Sequence, residues 1–138
     1  MKSIKFLLNG LIFTLFLSVF SQVQATEKHN IYNQNGDRIM QLTQLDDYNY
    51  KVVRYHDNGL VEEQGHYRNG VKNGCWMAYD EKGNCISRVY FDMGNRTGIW
   101  DIKTYDKKFT YQIAYEDDRA ILMQKLNKSG DIVETREP

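Results

Sequence analysis

Apolar and aromatic residues recur along this chain at a constant step of 24 positions, separated by polar stretches that contain glycine. Trp76 and Trp100 each follow a glycine by two positions, and the same step relates Tyr67 to Phe91 and Phe91 to Tyr115. A fixed period of about 20–50 residues is typical of proteins built from repeated structural units. The pattern therefore predicts a repeat architecture.

Within one repeat, alternating polar and apolar residues predict two antiparallel strands joined by a tight turn. In the clearest copy, residues 76–79 form one strand, 80–84 the turn, 85–91 the return strand and 92–98 the link to the next hairpin. Glycine adopts the positive φ that such turns require. The glycines assigned to turns are Gly59, Gly70, Gly74, Gly83, Gly94 and Gly98. No window keeps apolar residues at helical spacing over three turns, so the predicted fold is all-β.

The repeats differ in how completely they keep this pattern. Two full repeats cover residues 51–74 and 75–98, and a degenerate third repeat covers residues 99–120. Partial copies flank them at residues 31–39 and 126–132. The third repeat keeps Trp100 and Tyr115, but Asp118 replaces its second turn glycine. Terminal repeats are expected to be atypical because they cap the array.

The first 25 residues have the pattern of a secretory signal peptide. Lys2 and Lys5 precede an apolar run over residues 6–20, and residues 23–25 form a small-x-small cleavage site. The alternative is an uncleaved membrane anchor, but the run is shorter than the roughly 20 residues that a bilayer span needs. We expect cleavage after Ala25, which leaves one domain over residues 26–138. The protein is then exported, to the periplasm, the outer surface or the medium, without an integral membrane span.

The charge of the mature chain argues against several partners. Removal of residues 1–25 leaves 16 basic against 18 acidic residues. Proteins that bind nucleic acid show a basic face or stripe, and anionic lipid attracts polybasic segments. The sequence shows neither a basic stripe nor a polybasic segment, so nucleic acid is not expected as a partner.

The two cysteines, Cys75 and Cys85, invite a disulfide in an exported protein. The predicted hairpin places Cys85 opposite Tyr79 and Cys75 opposite Val89, which separates the two cysteines by roughly 13 Å along the strands. A disulfide requires Cα atoms within about 7 Å of each other. We predict two free thiols.

Two stretches of the chain resemble the MORN repeat, especially its bacterial variant: HYRNGVKNGCWMAYDEKGN and YFDMGNRTGIW. The positions that match the motif are Tyr67, Gly70, Gly74, Trp76, Tyr79 and Gly83, followed by Phe91, Gly94, Gly98 and Trp100. The resemblance covers about residues 50–120. It implies one elongated, single-layer antiparallel sheet of consecutive β-hairpins, and a scaffold or interaction surface without a common catalytic activity.

Family labels for relatives of this kind suggest two other roles. The bacterial variant is often labelled an antitoxin, which fits an exported chain poorly because antitoxins normally act in the cytoplasm. Short exported relatives sometimes carry a nucleotidyltransferase name, an activity that needs a His-x-Gly-His phosphate site. None of His29, His56 and His66 lies in such a motif.

Candidate chemistry along the chain is sparse. Ser87 and Ser129 lie in no nucleophile elbow, and nothing activates either cysteine. His56, Asp57 and His66 match no standard zinc spacing. His56 occupies the turn position that Asp80 fills in the next copy, which predicts a solvated turn residue. We therefore predict no catalytic residues, no metal site and no cofactor.

The aromatic residues that recur with the repeat form the candidate binding surface. They are Trp76, Trp100, Tyr67, Tyr79, Phe91 and Tyr115. One interpretation is packing within the sheet, since cross-strand aromatic pairs stabilise sheets. The other is a binding groove, because a single-layer sheet leaves apolar surface exposed. We predict a non-enzymatic module that binds another envelope or secreted protein. A carbohydrate-binding module that uses these aromatic rows is the alternative, and an antitoxin-like or enzyme-associated role follows only from the family labels.

Overall fold

The computed structural model describes residues 27–137. The predicted signal peptide, residues 1–25, lies outside the described residues. The described part of the chain forms ten β-strands and no helix. The strands are β1 (Lys28–Tyr32), β2 (Arg38–Gln44), β3 (Asn49–Tyr55), β4 (Val61–Arg68), β5 (Val71–Tyr79), β6 (Cys85–Asp92), β7 (Asn95–Lys103), β8 (Thr110–Glu116), β9 (Arg119–Leu126) and β10 (Ile132–Arg136).

All ten strands belong to one open antiparallel sheet, in which the spatial order is the order along the chain. Each strand therefore pairs only with the strands that precede and follow it in sequence. This topology confirms the predicted all-β fold of consecutive hairpins in a single layer.

Five turns of similar geometry lie along one edge of the sheet, here called the long-turn edge. In the third turn, the Asp80 amide donates to the Asn84 carbonyl at 2.9 Å and the Gly83 amide donates to the Asp80 carbonyl at 2.9 Å. Gly83 has a φ of 81°, as the last residue of a three-residue hairpin loop requires. The five turns begin at Asn33, His56, Asp80, Thr104 and Asn127, and the fourth is one residue longer.

A side chain at the first turn position closes most of these turns. The Oδ1 atom of Asp80 accepts hydrogen bonds from the amides of Lys82 at 3.0 Å and Asn84 at 2.8 Å. Asn33 and Asn127 use their Oδ1 atoms in the same way. Asparagine and aspartate favour turns because their short side chains can bond to the backbone two residues on.

The turns along the opposite edge, here called the short-turn edge, are shorter than predicted. Its two-residue turns are Asn69-Gly70, Met93-Gly94 and Asp117-Asp118, and all six residues have positive φ. Positive φ at both central positions defines a type I′ turn, which matches the twist of the flanking strands. The predicted link over residues 92–98 is therefore mostly strand, since β6 ends at Asp92 and β7 begins at Asn95.

The two cysteines are free thiols, as predicted. Cys85 lies opposite Tyr79, also as predicted, but Cys75 lies opposite Tyr90 and not Val89. The register shifts next to Tyr79 because β6 has one extra residue there. The strand geometry still separates the cysteines along the ladder.

A single-layer sheet buries few apolar side chains. Among the described residues, the buried apolar side chains are Val52, Val53 and Trp76, with 3%, 8% and 1% exposure. Val52 pairs with Gly65, over which Trp76 lies. Paired residues share a face and successive residues alternate between faces. Val52 and Trp76 therefore mark the more apolar face of the sheet, and Val53 points to the other.

Candidate interaction surface

The glycine-x-tryptophan motif forms a bulge in the sheet. Gly65 lies opposite three residues, 74–76, because the pairing of β4 with β5 shifts at this point. Gly74 has a φ of 73°, which a residue with a side chain rarely adopts. In the next copy, Val89 lies opposite residues 98–100 in the same manner. The extra residues let each tryptophan lean back over the preceding strand.

Each indole is fixed by a hydrogen bond to that preceding strand. Trp76 Nε1 donates to the carbonyl of His66 at 3.1 Å, and Trp100 Nε1 donates to the carbonyl of Tyr90 at 2.9 Å. Trp76 is 1% exposed, and its ring covers Gly65. The side chain of Trp76 is thus packed inside its own sheet and is withdrawn from the predicted binding surface.

Five of the six predicted aromatic residues lie on the same face. They form the aromatic row, which consists of Tyr67, Trp76, Phe91, Trp100 and Tyr115. Their ring centroids are 5.0 Å apart for Tyr67–Trp76, 5.2 Å for Phe91–Trp100 and 4.6 Å for Trp100–Tyr115. Such separations are typical of favourable aromatic pairs. The row supplies the cross-strand packing of the sheet.

Repeat-equivalent cations complete the aromatic row. Lys72 Nζ lies 3.9 Å from the Trp76 ring centroid and 3.0 Å from Glu63 Oε1. One step later, the Arg96 guanidinium lies 4.8 Å from the Tyr115 ring centroid. Cations over aromatic faces are stabilising, most strongly over tryptophan. The exposed faces of these rings are therefore partly covered by the protein's own side chains.

Arg96 also joins two neighbouring hairpins. Its Nε donates to Asp118 Oδ1 at 2.8 Å and its Nη2 to the Asp118 carbonyl at 2.7 Å. The hydrogen bonds from Arg96 lower the pKa of the Asp118 carboxyl below its usual range. Asp118, which replaces the turn glycine of the third repeat, thereby holds the adjacent turn in place.

Tyr79 lies apart from the aromatic row. Its hydroxyl accepts a hydrogen bond from Gln64 Nε2 at 2.9 Å and donates to Met77 Sδ at 3.5 Å. Gln64 pairs with Met77 on the face opposite Trp76. Tyr79 therefore lies on the face opposite the other five rings, because it is three positions from Trp76 in β5 and successive side chains of a strand alternate between faces.

His56 is not a solvated turn residue. Its ring is half-buried, and Nε2 lies 2.9 Å from the carbonyl oxygen of Tyr79 in the next hairpin. The capping role that Asp80 has in its own turn passes to Asn58, whose Oδ1 accepts from the Leu60 amide at 2.9 Å. His56 and Asp80 occupy equivalent turn positions, but their side chains make different hydrogen bonds.

A groove of about 810 Å³ lies beside the long-turn edge and spans three hairpins. Its walls include Arg54, Glu63, Asp80 and Lys107, and Tyr105 lies at its rim fully exposed. Arg54 Nε lies 3.9 Å from Glu63 Oε2, and Lys107 Nζ contacts Asp80. The hydrogen bond from Lys107 holds the pKa of Asp80 far below its usual range. Four of the charged side chains that line this groove are thus paired with one another.

An exposed apolar row that the sequence interpretation missed lies on the short-turn edge. The turn-tip patch consists of Tyr48, Val71 and Met93, which are 65%, 37% and 41% exposed. Neighbouring tips contact each other, since the Asn69 amide donates to the Tyr48 carbonyl at 2.9 Å. A Cβ added at Gly94 would lie 3.4 Å from Val71 Cβ, so the next tip adjoins as well.

Met93 is the unusual member of this patch. It has a φ of 46°, in the left-handed region that favours glycine and asparagine. One repeat earlier, Asn69 holds the same turn position with a φ of 50°. The step of 24 residues aligns Met93 with Asn69. An apolar residue at a position where the preceding repeat has a typical turn residue is the sequence feature that indicates this patch.

No protein family and no curated protein matches the chain. Residues 27–137 contain no helix long and apolar enough to span a membrane. In the same part of the chain, no three or more histidine, cysteine or acidic side chains are grouped so that they could hold a metal ion.

Proposed function

We propose that this protein is an exported, non-enzymatic repeat module that binds another protein of the cell envelope through its turn-tip patch. The observation that carries the proposal is Met93, an apolar side chain held exposed at a left-handed turn position. The left-handed conformation costs a residue with a side chain about 1–2 kcal/mol. Local strain of this kind is concentrated at functional sites.

The neighbours of Met93 support a protein partner. Tyr48 and Val71 extend the apolar surface along the edge, across successive hairpin tips. Tyrosine and methionine are enriched in protein–protein interfaces, and contiguous exposed apolar surface marks interaction sites. Hydrogen bonds join the backbones of these turns to the strands and turns beside them.

The carbohydrate-binding alternative has weaker support, because sugars require an open aromatic face. Trp76 is buried, and Lys72 lies over its ring. Trp100 is half-buried between Phe91 and Tyr115. The rings of the aromatic row pack against other side chains of the same sheet. No contact in the described residues favours the antitoxin-like or enzyme-associated roles.

Site-specific photocrosslinking in cells that export the full chain tests the proposal. A photoreactive residue at position 93 or 71 is expected to give a discrete crosslinked protein in the envelope fraction. The matched control is the same residue at position 105, where Tyr105 is also exposed but on the opposite edge. Identical products from both edges, no product at all, or turnover of a substrate by the purified protein would each contradict the proposal.

A second variant separates binding from folding. Met93→Asn introduces the residue that already occupies the equivalent turn at Asn69, so the fold is retained while the apolar tip is lost. We expect this change to reduce crosslinking from position 71. Tyr105→Asn, which removes an exposed aromatic ring elsewhere, is expected to leave crosslinking from position 71 unchanged.

A further inference from the structure

The two outer strands of the sheet each have one neighbour within residues 27–137. β1 pairs only with β2, and β10 pairs only with β9. The outer side of such a strand carries backbone N–H and C=O groups that can pair with another strand. Both strands also expose apolar side chains, with Ile31 at 42% and Ile132 at 54% exposure.

The register of the sheet brings these two outer strands to the same height. One residue from each strand forms an unbroken row of pairs from the first strand to the last. The row is Ile31, Met40, Arg54, Glu63, Ala78, Ser87, Ile102, Tyr111, Lys125 and Glu134. The ten strands are therefore not displaced along their own direction from one side of the sheet to the other. For this reason β10 of one copy can pair antiparallel with β1 of another copy, as β8 pairs with β9.

We propose that the protein associates head to tail with further copies of itself, with β10 of one copy adding antiparallel to β1 of the next. The repeat register then places Glu134 opposite Ile31 of the next copy. β1 has the position in its hairpin that β3, β5, β7 and β9 have in theirs. The new junction therefore has the strand direction of the four junctions between hairpins that already exist, and its unbulged register is that of β2 with β3. This association is independent of the turn-tip patch.

The backbone of β1 offers the required hydrogen bonds. The carbonyl of Glu27 accepts from the Gln44 amide at 2.9 Å, so it faces β2. Successive residues of an antiparallel strand direct their backbone groups to alternate sides. The N–H and C=O groups of Lys28 and Asn30 therefore point to the open side. In the repeated register Asn30 lies opposite Thr135 of the neighbouring copy.

One pair of opposite charges meets in this register, at the ends of the two outer strands. The pairing of Thr43 with Lys51 at the β2–β3 junction corresponds to Glu137 opposite Lys28 at the new junction. Opposite charges directly across strands stabilise the pairing, and like charges destabilise it. The interface is heterologous and leaves one open strand at each end, so it generates growing oligomers or rings and not a closed dimer.

Sedimentation velocity on protein recovered from cells that export the full chain tests this association. The average mass is expected to rise with protein concentration past that of a dimer. Mass that stays at the monomer over the whole concentration range, or that stops at the dimer, would overturn the proposal. Asn30→Pro removes an N–H on the open side only and is expected to abolish the association. Asn30→Val keeps that N–H and is expected to preserve it.

A charge exchange provides a test that does not depend on proline. Lys28→Glu places two carboxylates opposite each other and is expected to weaken association roughly 3–10-fold at low salt. Adding Glu137→Lys in the same chain restores the opposite signs and is expected to recover the association. Unchanged association in the single variant, or no recovery in the double variant, would contradict the proposed register. Circular dichroism of each variant verifies that the sheet is folded.

Discussion

Gly65 lies directly beneath the indole of Trp76. A Cβ atom at position 65 would be 2.2 Å from Trp76 Cδ2, far inside van der Waals contact. At the equivalent position one repeat later, Val89 lies across from Trp100, which is more exposed than Trp76. The absence of a side chain at position 65 is therefore what allows Trp76 to be fully buried.

We expect Gly65→Ala to destabilise the protein by about 2–3 kcal/mol, because the added methyl forces the indole out of its site. Urea unfolding followed by tryptophan fluorescence measures the change. The comparison is Val89→Ala, which removes methyl groups at the equivalent site and beside Trp76, with which Val89 pairs, and is expected to cost about 1 kcal/mol. Equal effects of the two substitutions would contradict the close packing of Trp76 on Gly65.

Met93→Asn is expected to stabilise the protein by about 0.5–1 kcal/mol, since asparagine tolerates the left-handed conformation at this turn position. The reverse exchange at the equivalent position, Asn69→Met, is expected to destabilise it by a similar amount. The midpoints of urea unfolding compare the two variants directly. A loss of stability in Met93→Asn would show that the Met93 side chain contributes to folding.

The contact between Asp80 and Lys107 predicts a dependence of stability on pH. The pKa of Asp80 is lowered in the folded protein, chiefly by the hydrogen bond from Lys107. Stability from a carboxyl with a lowered pKa is fully present above its unfolded pKa of about 3.9 and is lost as the pH falls below that value. Asp80→Asn keeps a turn cap of the kind that Asn33 provides, and it removes this part of the acid sensitivity.

Unfolding free energies measured between pH 6 and the acid limit of the assay, roughly pH 2, test the prediction. The wild-type protein is expected to lose more stability over this range than Asp80→Asn. Lys107→Gln removes the main cause of the lowered pKa and is expected to give an intermediate dependence. Parallel profiles for all three proteins would show that the contact does not couple stability to pH.

The two tryptophans are expected to differ in their access to solvent. In a Trp100→Phe variant, the remaining Trp76 is buried and should be quenched weakly by acrylamide. In a Trp76→Phe variant, the half-buried Trp100 should be quenched more strongly. Quenching of Trp76 by added polysaccharide would instead support the carbohydrate-binding alternative.

The repeat step of 24 residues predicted the main elements well. It placed the hairpins around the turns at residues 59 and 83, and it aligned the five rings of the aromatic row. Turn chemistry and periodicity are local properties of the sequence, so they can be interpreted without a structure. The free state of Cys75 and Cys85 followed from the same hairpin geometry.

The alternation of side chains in β5 places Tyr79, three positions from Trp76, on the opposite face, which the step of 24 residues alone does not reveal. The contact of His56 with a carbonyl of the next hairpin depends on register, which is not local. The tilt of Trp76 over Gly65 depends on two extra residues in β5. At the turn of Met93, the repeat pattern draws attention to Gly94 and not to the residue before it.

The strict sequence order of the strands has a consequence for how the protein folds and unfolds. Because every strand pairs only with its neighbours along the chain, no ladder has to close a long loop. Folding should then be fast for an all-β protein, since rates fall as contacts become more distant in sequence. Stability should behave as a sum of hairpins and their junctions, with unfolding that begins at β1 and β10 and proceeds inward. The hairpins around Trp76 and Val52 would be the last to open.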